Sequence, residues 1–192
     1  VSPSGAVSQV RQPSNEIDWV EAIRAGDDAA FEALFHAYHG SLCTLAYRYL
    51  GARDLAEEIV QEIFLVVWER RKTWEVRSSV KSYLCTAVRN AALSYLRHER
   101  VARRSESDIR DLQPPSPARP DLQALEQETL ATVQQAVDRL PERCRLVFTL
   151  HREQGLTYAE VAEVLGISPR TVEVQIGRAL KSLRKGLAGL RP

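Results

Sequence analysis

The residues with the most chemistry to offer stand near the end of the chain. Arg170, Thr171, Glu173, Val174, Gln175, Arg178 and Lys181 recur at spacings that place them on the outer side of one helix. Arg, Gln and Glu make paired hydrogen bonds to base edges in a duplex major groove, while Arg and Lys also neutralise phosphates. The chemistry implied is recognition by non-covalent contact. Such a helix must be held at a fixed angle, and the residues before it read as the holder. Val161, Ala162 and Leu165 give a short helix one apolar face, Gly166 supplies a left-handed stop, Ser168 can cap the next helix, and Pro169 suits its first position. Val172, Ile176, Ala179, Leu180 and Leu183 would then form the buried side of that second helix. Leu156 to Ile176 is thus expected to fold as a helix-turn-helix that binds DNA.

Two further groups of residues lie in the first half. Along Asp54 to Trp68, the residues Leu55, Ile59, Ile63 and Val67 are four apart and predict a buried stripe. Asp54, Glu58, Gln61, Glu62 and Leu65 fall on another side, acidic with some apolar content. That face fits plain solvation or docking onto a basic protein helix equally well. From Trp74 to Arg104, aromatic Trp74, Tyr83 and Tyr95 interleave with Arg77, Lys81, Arg89, Arg97, Arg100, Arg103 and Arg104, with Ser78, Ser79 and Asn90 as hydrogen-bonding groups. Rings that stack on unpaired bases, beside cations that follow a phosphate backbone, suit single-stranded nucleic acid. Taken singly, Tyr83 and Tyr95 read first as core residues and Arg97 to Arg104 as a solvated helix end; it is the combination that points to nucleic acid.

These groups need helices to carry them, and the chain is patterned for helices throughout. The fold class expected is all-α, two small helical domains joined by a Pro-rich flexible linker, the second containing the helix-turn-helix. Residues 1–15, rich in Ser, Pro, Gln and small residues, are expected to form a disordered tail. Residues 16–104 form the first domain, with four helices expected between Asp18 and Arg104. Residues 105–121, containing Pro114, Pro115, Pro117 and Pro120, are expected to be the linker, and 122–192 the second domain, with a helix from Leu122 to Leu140 broken at Pro141.

Composition narrows the function classes. The formal net charge is only +1, so any nucleic-acid affinity must come from segregated charge rather than from an excess. The longest uncharged apolar run, Ile63 to Trp68, is far too short to cross a bilayer, and the first residues lack the pattern of a signal peptide, so a cytoplasmic location is expected. Cys43, Cys85 and Cys144 are odd in number and widely separated, which predicts reduced thiols. His36, His39 and Cys43 lie three and four apart on one expected helix and could converge as soft metal ligands. No fourth ligand is visible, and neither a metal nor a cofactor is expected. With no nucleophile, acid-base pair or Gly-rich phosphate loop in evidence, the chain is not expected to be an enzyme.

Three blocks in order make the chain recognisable. Asp54-Leu55-Ala56-Glu57-Glu58-Ile59-Val60-Gln61-Glu62-Ile63-Phe64, then Ser82-Tyr83-Leu84-Cys85-Thr86-Ala87-Val88-Arg89-Asn90 through Tyr95-Leu96-Arg97, then Leu140-Pro141-Glu142-Arg143 and the helix-turn-helix ending in Arg178-Ala179-Leu180-Lys181-Ser182-Leu183-Arg184, closely resemble the extracytoplasmic-function (ECF) sigma factors of bacterial RNA polymerase, in the sigma-70 family. The resemblance covers about Asp18 to Gly186. It implies a sigma-2-like first domain that binds core polymerase and the minus-ten element, and a sigma-4-like second domain that binds the minus-thirty-five element.

On residues, it implies that Asp54, Glu58, Gln61, Glu62 and Leu65 dock on the clamp helices of the beta-prime subunit. Trp74, Arg77, Ser78, Ser79, Lys81, Tyr83, Arg89, Asn90, Arg97 and Arg100 would open the minus-ten element and hold its non-template strand. Arg170, Thr171, Glu173, Val174, Gln175, Arg178 and Lys181 would read the minus-thirty-five element as duplex. The beta flap and an anti-sigma factor are further partners implied, and the linker would run toward the RNA exit path. This chain departs from many relatives with Tyr83 in place of Trp, Ser94 in place of Asp and Glu173 in place of Arg. Glu prefers cytosine amino groups and repels phosphate, so the third departure implies a different promoter preference. The other classes open to the residues are a conventional helix-turn-helix regulator that works without polymerase, which would leave the first-half groups without a use, and a protein-interaction adaptor.

Overall fold

The computed structural model describes residues 16–105 and 135–187. The expected tail at 1–15, the linker beyond Ser105 and most of the expected helix from Leu122 lie outside the described residues. Four α-helices make the first unit: α1 (Glu16–Ala25), α2 (Asp28–Leu50), α3 (Arg53–Glu69) and α4 (Val80–Ser105), with a 3-10 turn at Arg71–Thr73. Residues 135–138 close a helix, and Pro141 breaks the chain before α5 (Glu142–Phe148), a π-turn (Thr149–Glu153), α6 (Tyr158–Leu165) and α7 (Pro169–Leu187). No strand occurs among the described residues.

Local sequence explains the boundaries. The Asp27 carboxylate accepts from the Ala29 and Ala30 amides at 2.9 and 3.1 Å, which fixes the start of α2. Gly51 ends it with φ +70°, its N–H donating to the Tyr47 carbonyl. Leu34, Tyr38, Leu42 and Leu45, three or four apart on α2, are buried against Ile59, Val60, Ile63, Phe64 and Val67 of α3 and Val80, Leu84, Cys85 and Val88 of α4. The expected α3 stripe is therefore present, with Leu55 only half-buried at its exposed end.

The second unit does not keep its core to itself. Val147, Leu150, Leu156, Val161, Ala162, Val164, Val172 and Ile176 belong to the same continuous apolar cluster as the first four helices. Only Val137, Leu140, Cys144, Ala179 and Leu183 form a separate small core. Two units tied by a linker were expected; the structure shows them packed together, with α4 against α6. The three cysteines are free thiols, Cys85 and Cys144 buried and Cys43 half-buried. Burial pushes the Cys85 thiol up to about 12, leaving it neutral.

Candidate nucleic-acid interface

The helix-turn-helix is built by three local devices. Thr157 and Glu160 form a capping box: the Thr157 hydroxyl accepts from the Glu160 amide at 3.3 Å, and the Glu160 carboxylate accepts from the Thr157 amide at 2.8 Å. Gly166 ends α6 at φ +65°, and the Ile167 amide returns to the Ala162 carbonyl at 3.0 Å. Ser168 then caps α7, accepting from the Thr171 amide at 3.1 Å. A Cβ on Gly166 would meet nothing within 4 Å, so only its backbone torsion demands glycine. Gly166→Ala should therefore destabilise by about 1 kcal/mol. A thermal melt reads that loss, and an unchanged midpoint would refute the role given to the turn.

On α7, Val172, Ile176, Ala179 and Leu183 face inward, while Arg170, Thr171, Glu173, Val174, Arg178 and Lys181 are exposed. Two readings change. Leu180, placed on the buried side from its type, is 41 % exposed, because the stripe at intervals of three and four ends on Leu183 and leaves Leu180 off its edge. Gln175 is half-buried, and its amide oxygen accepts from the Cys144 thiol at 2.9 Å, so one end of this base-reading candidate is held by the core. At the front of the helix Arg170 and Glu173 pair at 2.6 Å, both exposed. Glu173 thus has a cationic partner one turn away on its own helix.

The acidic candidates behave as one surface. Asp54, Glu58, Gln61, Glu62 and Leu65 are all exposed on α3, Leu65 at 62 %. Beside them a groove of about 400 Å³ runs between α3 and α4, lined by Glu62, Val66, Tyr83, Ala87 and Tyr95 among others. Apolar floor and acidic rim together suit an amphipathic basic helix.

The single-strand candidates divide. Arg77, Ser78, Asn90, Arg97 and Arg100 are exposed, and Ser79, Lys81, Tyr83 and Arg89 are half-buried. Asn90 accepts from Arg89 at 3.3 Å, and Arg97 donates to the Leu93 carbonyl at 3.3 Å. Trp74 does not face outward: it is 3 % exposed and meets Tyr83 edge-on at 5.8 Å. It supports a ring rather than stacking on a base, because the loop folds its apolar member under α4. Ser79 accepts from the Ser82 amide at 3.1 Å to start α4, and its hydroxyl donates to the Glu160 carboxylate of α6. Burial works to raise the Glu160 carboxyl pKa, but the bonds from Ser79 and Thr157, with Lys81 nearby, hold it below the ordinary carboxylate value.

The possible metal cluster does not assemble. Cys43 Sγ lies 3.6 Å from His39 Nε2, but His36 turns to Glu32 at 3.6 Å and is exposed. Among the described residues no group of three or more His, Cys, Asp or Glu side chains is placed to hold an ion. Three functional-looking residues escaped the sequence reading: Arg48, Asp138 and Glu153, which join the two units. The available signal was that Thr44, four residues before Arg48 on its own helix, is not an acid, and that α2 ends at Leu50 before a partner four residues on.

Comparison with known proteins agrees with this architecture. Residues 34–101 match the family described as Sigma-70 region 2, and residues 130–183 the one described as Sigma-70, region 4, together well over half of the chain. The ECF RNA polymerase sigma factor SigX of Bacillus subtilis (strain 168) is 28 % identical over 172 residues, covering 85 % of this chain and 87 % of that protein. CnrH, in its complex with the cytosolic domain of CnrY, superposes with a TM-score of 0.63 at 22 % identity, covering 91 % of this chain and 97 % of that one. RpoE from Bartonella quintana, in complex with the anti-sigma factor NepR, gives 0.62 at 23 % identity, over 84 % and 98 %. These two likenesses concern the fold, whereas the paired region 2 and region 4 matches, in the order of the chain, carry the family. The chain belongs to the ECF group of the sigma-70 family of sigma factors.

Proposed function

We propose that this chain binds core RNA polymerase through the exposed acidic face of α3, directs it to promoters through α7, and holds the opened minus-ten strand with the loop before α4 and the outer side of that helix. The observation that carries the reading is the joint exposure of Asp54, Glu58, Gln61, Glu62 and Leu65 on α3 in a chain whose α7 presents Arg170, Thr171, Glu173, Arg178 and Lys181. One protein thus offers a surface for a basic helix and a surface for a duplex.

The mechanism is one of binding energy, and no covalent step is involved. Separating base pairs costs about 1.4 kcal/mol per step, and contacts to the freed strand must offset that. Arg77, Lys81, Arg89, Arg97 and Arg100 would follow its phosphates, Ser78, Ser79 and Asn90 would accept or donate at base edges, and Tyr83 on its Trp74 support would offer the ring. Residues 16–104 serve as the sigma-2-like domain, 122–192 as the sigma-4-like domain, and 105–121 as the tether between them. Arg178 and Lys181 would set phosphate register on the minus-thirty-five duplex, where Arg170, Glu173 and the free end of Gln175 discriminate bases, with Thr171 and Val174 beside them. The site of action is the cytoplasm; among the described residues no helix is long and apolar enough to cross a membrane. An anti-sigma factor is a further partner, supported by the complex of RpoE with the anti-sigma factor NepR.

The test is selection from a randomised promoter library by polymerase carrying either the unaltered chain or Arg170→Ala. One good base contact is worth about 1 to 3 kcal/mol, so discrimination at one minus-thirty-five position should fall about 5- to 150-fold while affinity for core is unchanged. An equal loss at every promoter sequence would remove Arg170 from base reading and reduce it to a phosphate contact.

A further inference from the structure

Arg48 stands in the last turn of α2 with its side chain only 7 % exposed, and its partners come from the other unit. Nη1 donates to Asp138 Oδ1 at 2.9 Å, Nη2 to Glu153 Oε1 at 2.7 Å, and Nε reaches Glu153 Oε2 at 3.4 Å. One guanidinium thereby grips two carboxylates, one of them with both of its oxygens, the geometry in which Arg pairing is strongest. Beside it the buried Gln154 donates from Nε2 to the Ser41 carbonyl of α2 at 2.9 Å. A second contact lies at the far end of the same interface, where Glu160 takes the Ser79 hydroxyl. A Cβ on Gly155 would come to 3.9 Å from Lys81 Nζ, so the turn before α6 lies against that lysine.

We propose that the Arg48–Asp138–Glu153 clasp is a built-in latch that holds the second unit shut over the start of α4 at Ser79–Lys81. In this closed form the Glu160 carboxylate takes the Ser79 hydroxyl and lies near Lys81, where a strand phosphate would otherwise bind, so the chain supplies its own anionic competitor. The closure is selective. The α3 residues Asp54, Glu58, Gln61, Glu62 and Leu65 stay exposed, as do Arg170, Thr171, Glu173, Arg178 and Lys181 on α7. The latched chain can therefore still meet its polymerase, while the Ser79–Lys81 end of the surface for single-stranded DNA is withheld until the latch opens and Arg77, Ser78, Asn90, Arg97 and Arg100 stay exposed. The latch itself rests on the geometry alone; its effect on DNA rests on the strand-holding role given to the loop above.

The test uses the full chain and two measurements. Small-angle X-ray scattering of Arg48→Glu should show a radius of gyration larger by about 3 Å or more than the unaltered chain, as two units part on a tether. Asp138→Asn with Glu153→Gln should expand it likewise, and this pair guards against misfolding at the buried arginine. Arg48→Glu with Asp138→Arg and Glu153→Arg should return the compact value. Anisotropy of a fluorescein-labelled single-stranded 12-mer of random sequence then reads the covered surface. If one molecule in ten is open, unlatching tightens the apparent affinity about tenfold. No expansion in either of the first two variants overturns the latch. Expansion without tighter binding leaves the latch standing but refutes the covering role, and with it the assignment of the loop to single-stranded DNA.

Discussion

Glu58→Lys combined with Glu62→Lys should cut affinity for core polymerase at least 100-fold while leaving the helical signal and duplex binding unchanged. Both side chains are exposed on α3, off the buried stripe of Ile59, Ile63 and Val67, so neither change removes a core side chain. Removing a rim charge chiefly alters association, but reversing two of them sets like charges against a basic partner, at several kcal/mol. Each 1.4 kcal/mol is a factor of ten. Co-elution with core, or competition against the unaltered protein, measures the loss. The reversal should also be stricter than Glu58→Gln with Glu62→Gln, which removes attraction without adding repulsion. Equal affinity for the reversed and unaltered chains would take α3 out of the docking surface.

Trp74→Ala should destabilise the first unit by about 3 to 5 kcal/mol, because a nearly fully buried indole leaves a cavity that its neighbours cannot fill. Trp74 is 3 % exposed, lies in the central apolar cluster and meets Tyr83 edge-on, and its amide donates to Arg71 at 3.2 Å to close the 3-10 turn. Against a total stability of about 5 to 15 kcal/mol, that loss lowers the thermal midpoint by on the order of 10 °C or more. Trp74→Phe should recover most of the stability and most of the promoter opening, since a smaller ring can still support Tyr83. A ring that stacked on a flipped base would behave in the opposite way: Trp74→Ala would weaken opening with the midpoint unmoved.

The contrast between Trp74 and Gly166 shows what could be read from the chain. Gly166, Ser168 and Pro169 act through the backbone of their own turn, so residue type and spacing sufficed to place the stop and the cap. The α3 surface was legible for the same reason, since 3.6-residue periodicity alone separates Ile59, Ile63 and Val67 from Glu58, Gln61 and Glu62. Trp74 sits in irregular chain, where no period says which way a ring turns, and its burial depends on Tyr83 nine positions on. Leu180 failed differently: an apolar residue beside a buried stripe is inside only if another element covers that flank, and residue type does not tell which. Arg48 was out of reach altogether. Its partners are 90 and 105 residues away, and only the packing of the two units brings them together.

That packing also changes how the weak overall charge is to be understood. Among the carboxylates, Asp54, Glu58 and Glu62 are exposed on α3, and Asp138, Glu153 and Glu160 stand at the join, facing Arg48 and Ser79. Among the described residues, Arg170, Arg178 and Lys181 are exposed on α7, and Arg97 and Arg100 on the outer side of α4. Net charge thus says little about a protein whose opposite charges stand on separate surfaces.

The most direct measurement of the central claim is single-round transcription by bacterial core polymerase, with and without this chain, on a library of randomised promoters. Transcripts that depend on the chain, from templates sharing two short elements at the minus-ten and minus-thirty-five positions, are the result expected. Core polymerase that co-elutes with the chain yet starts no transcript from any template, even with the Arg48 latch opened, would contradict it.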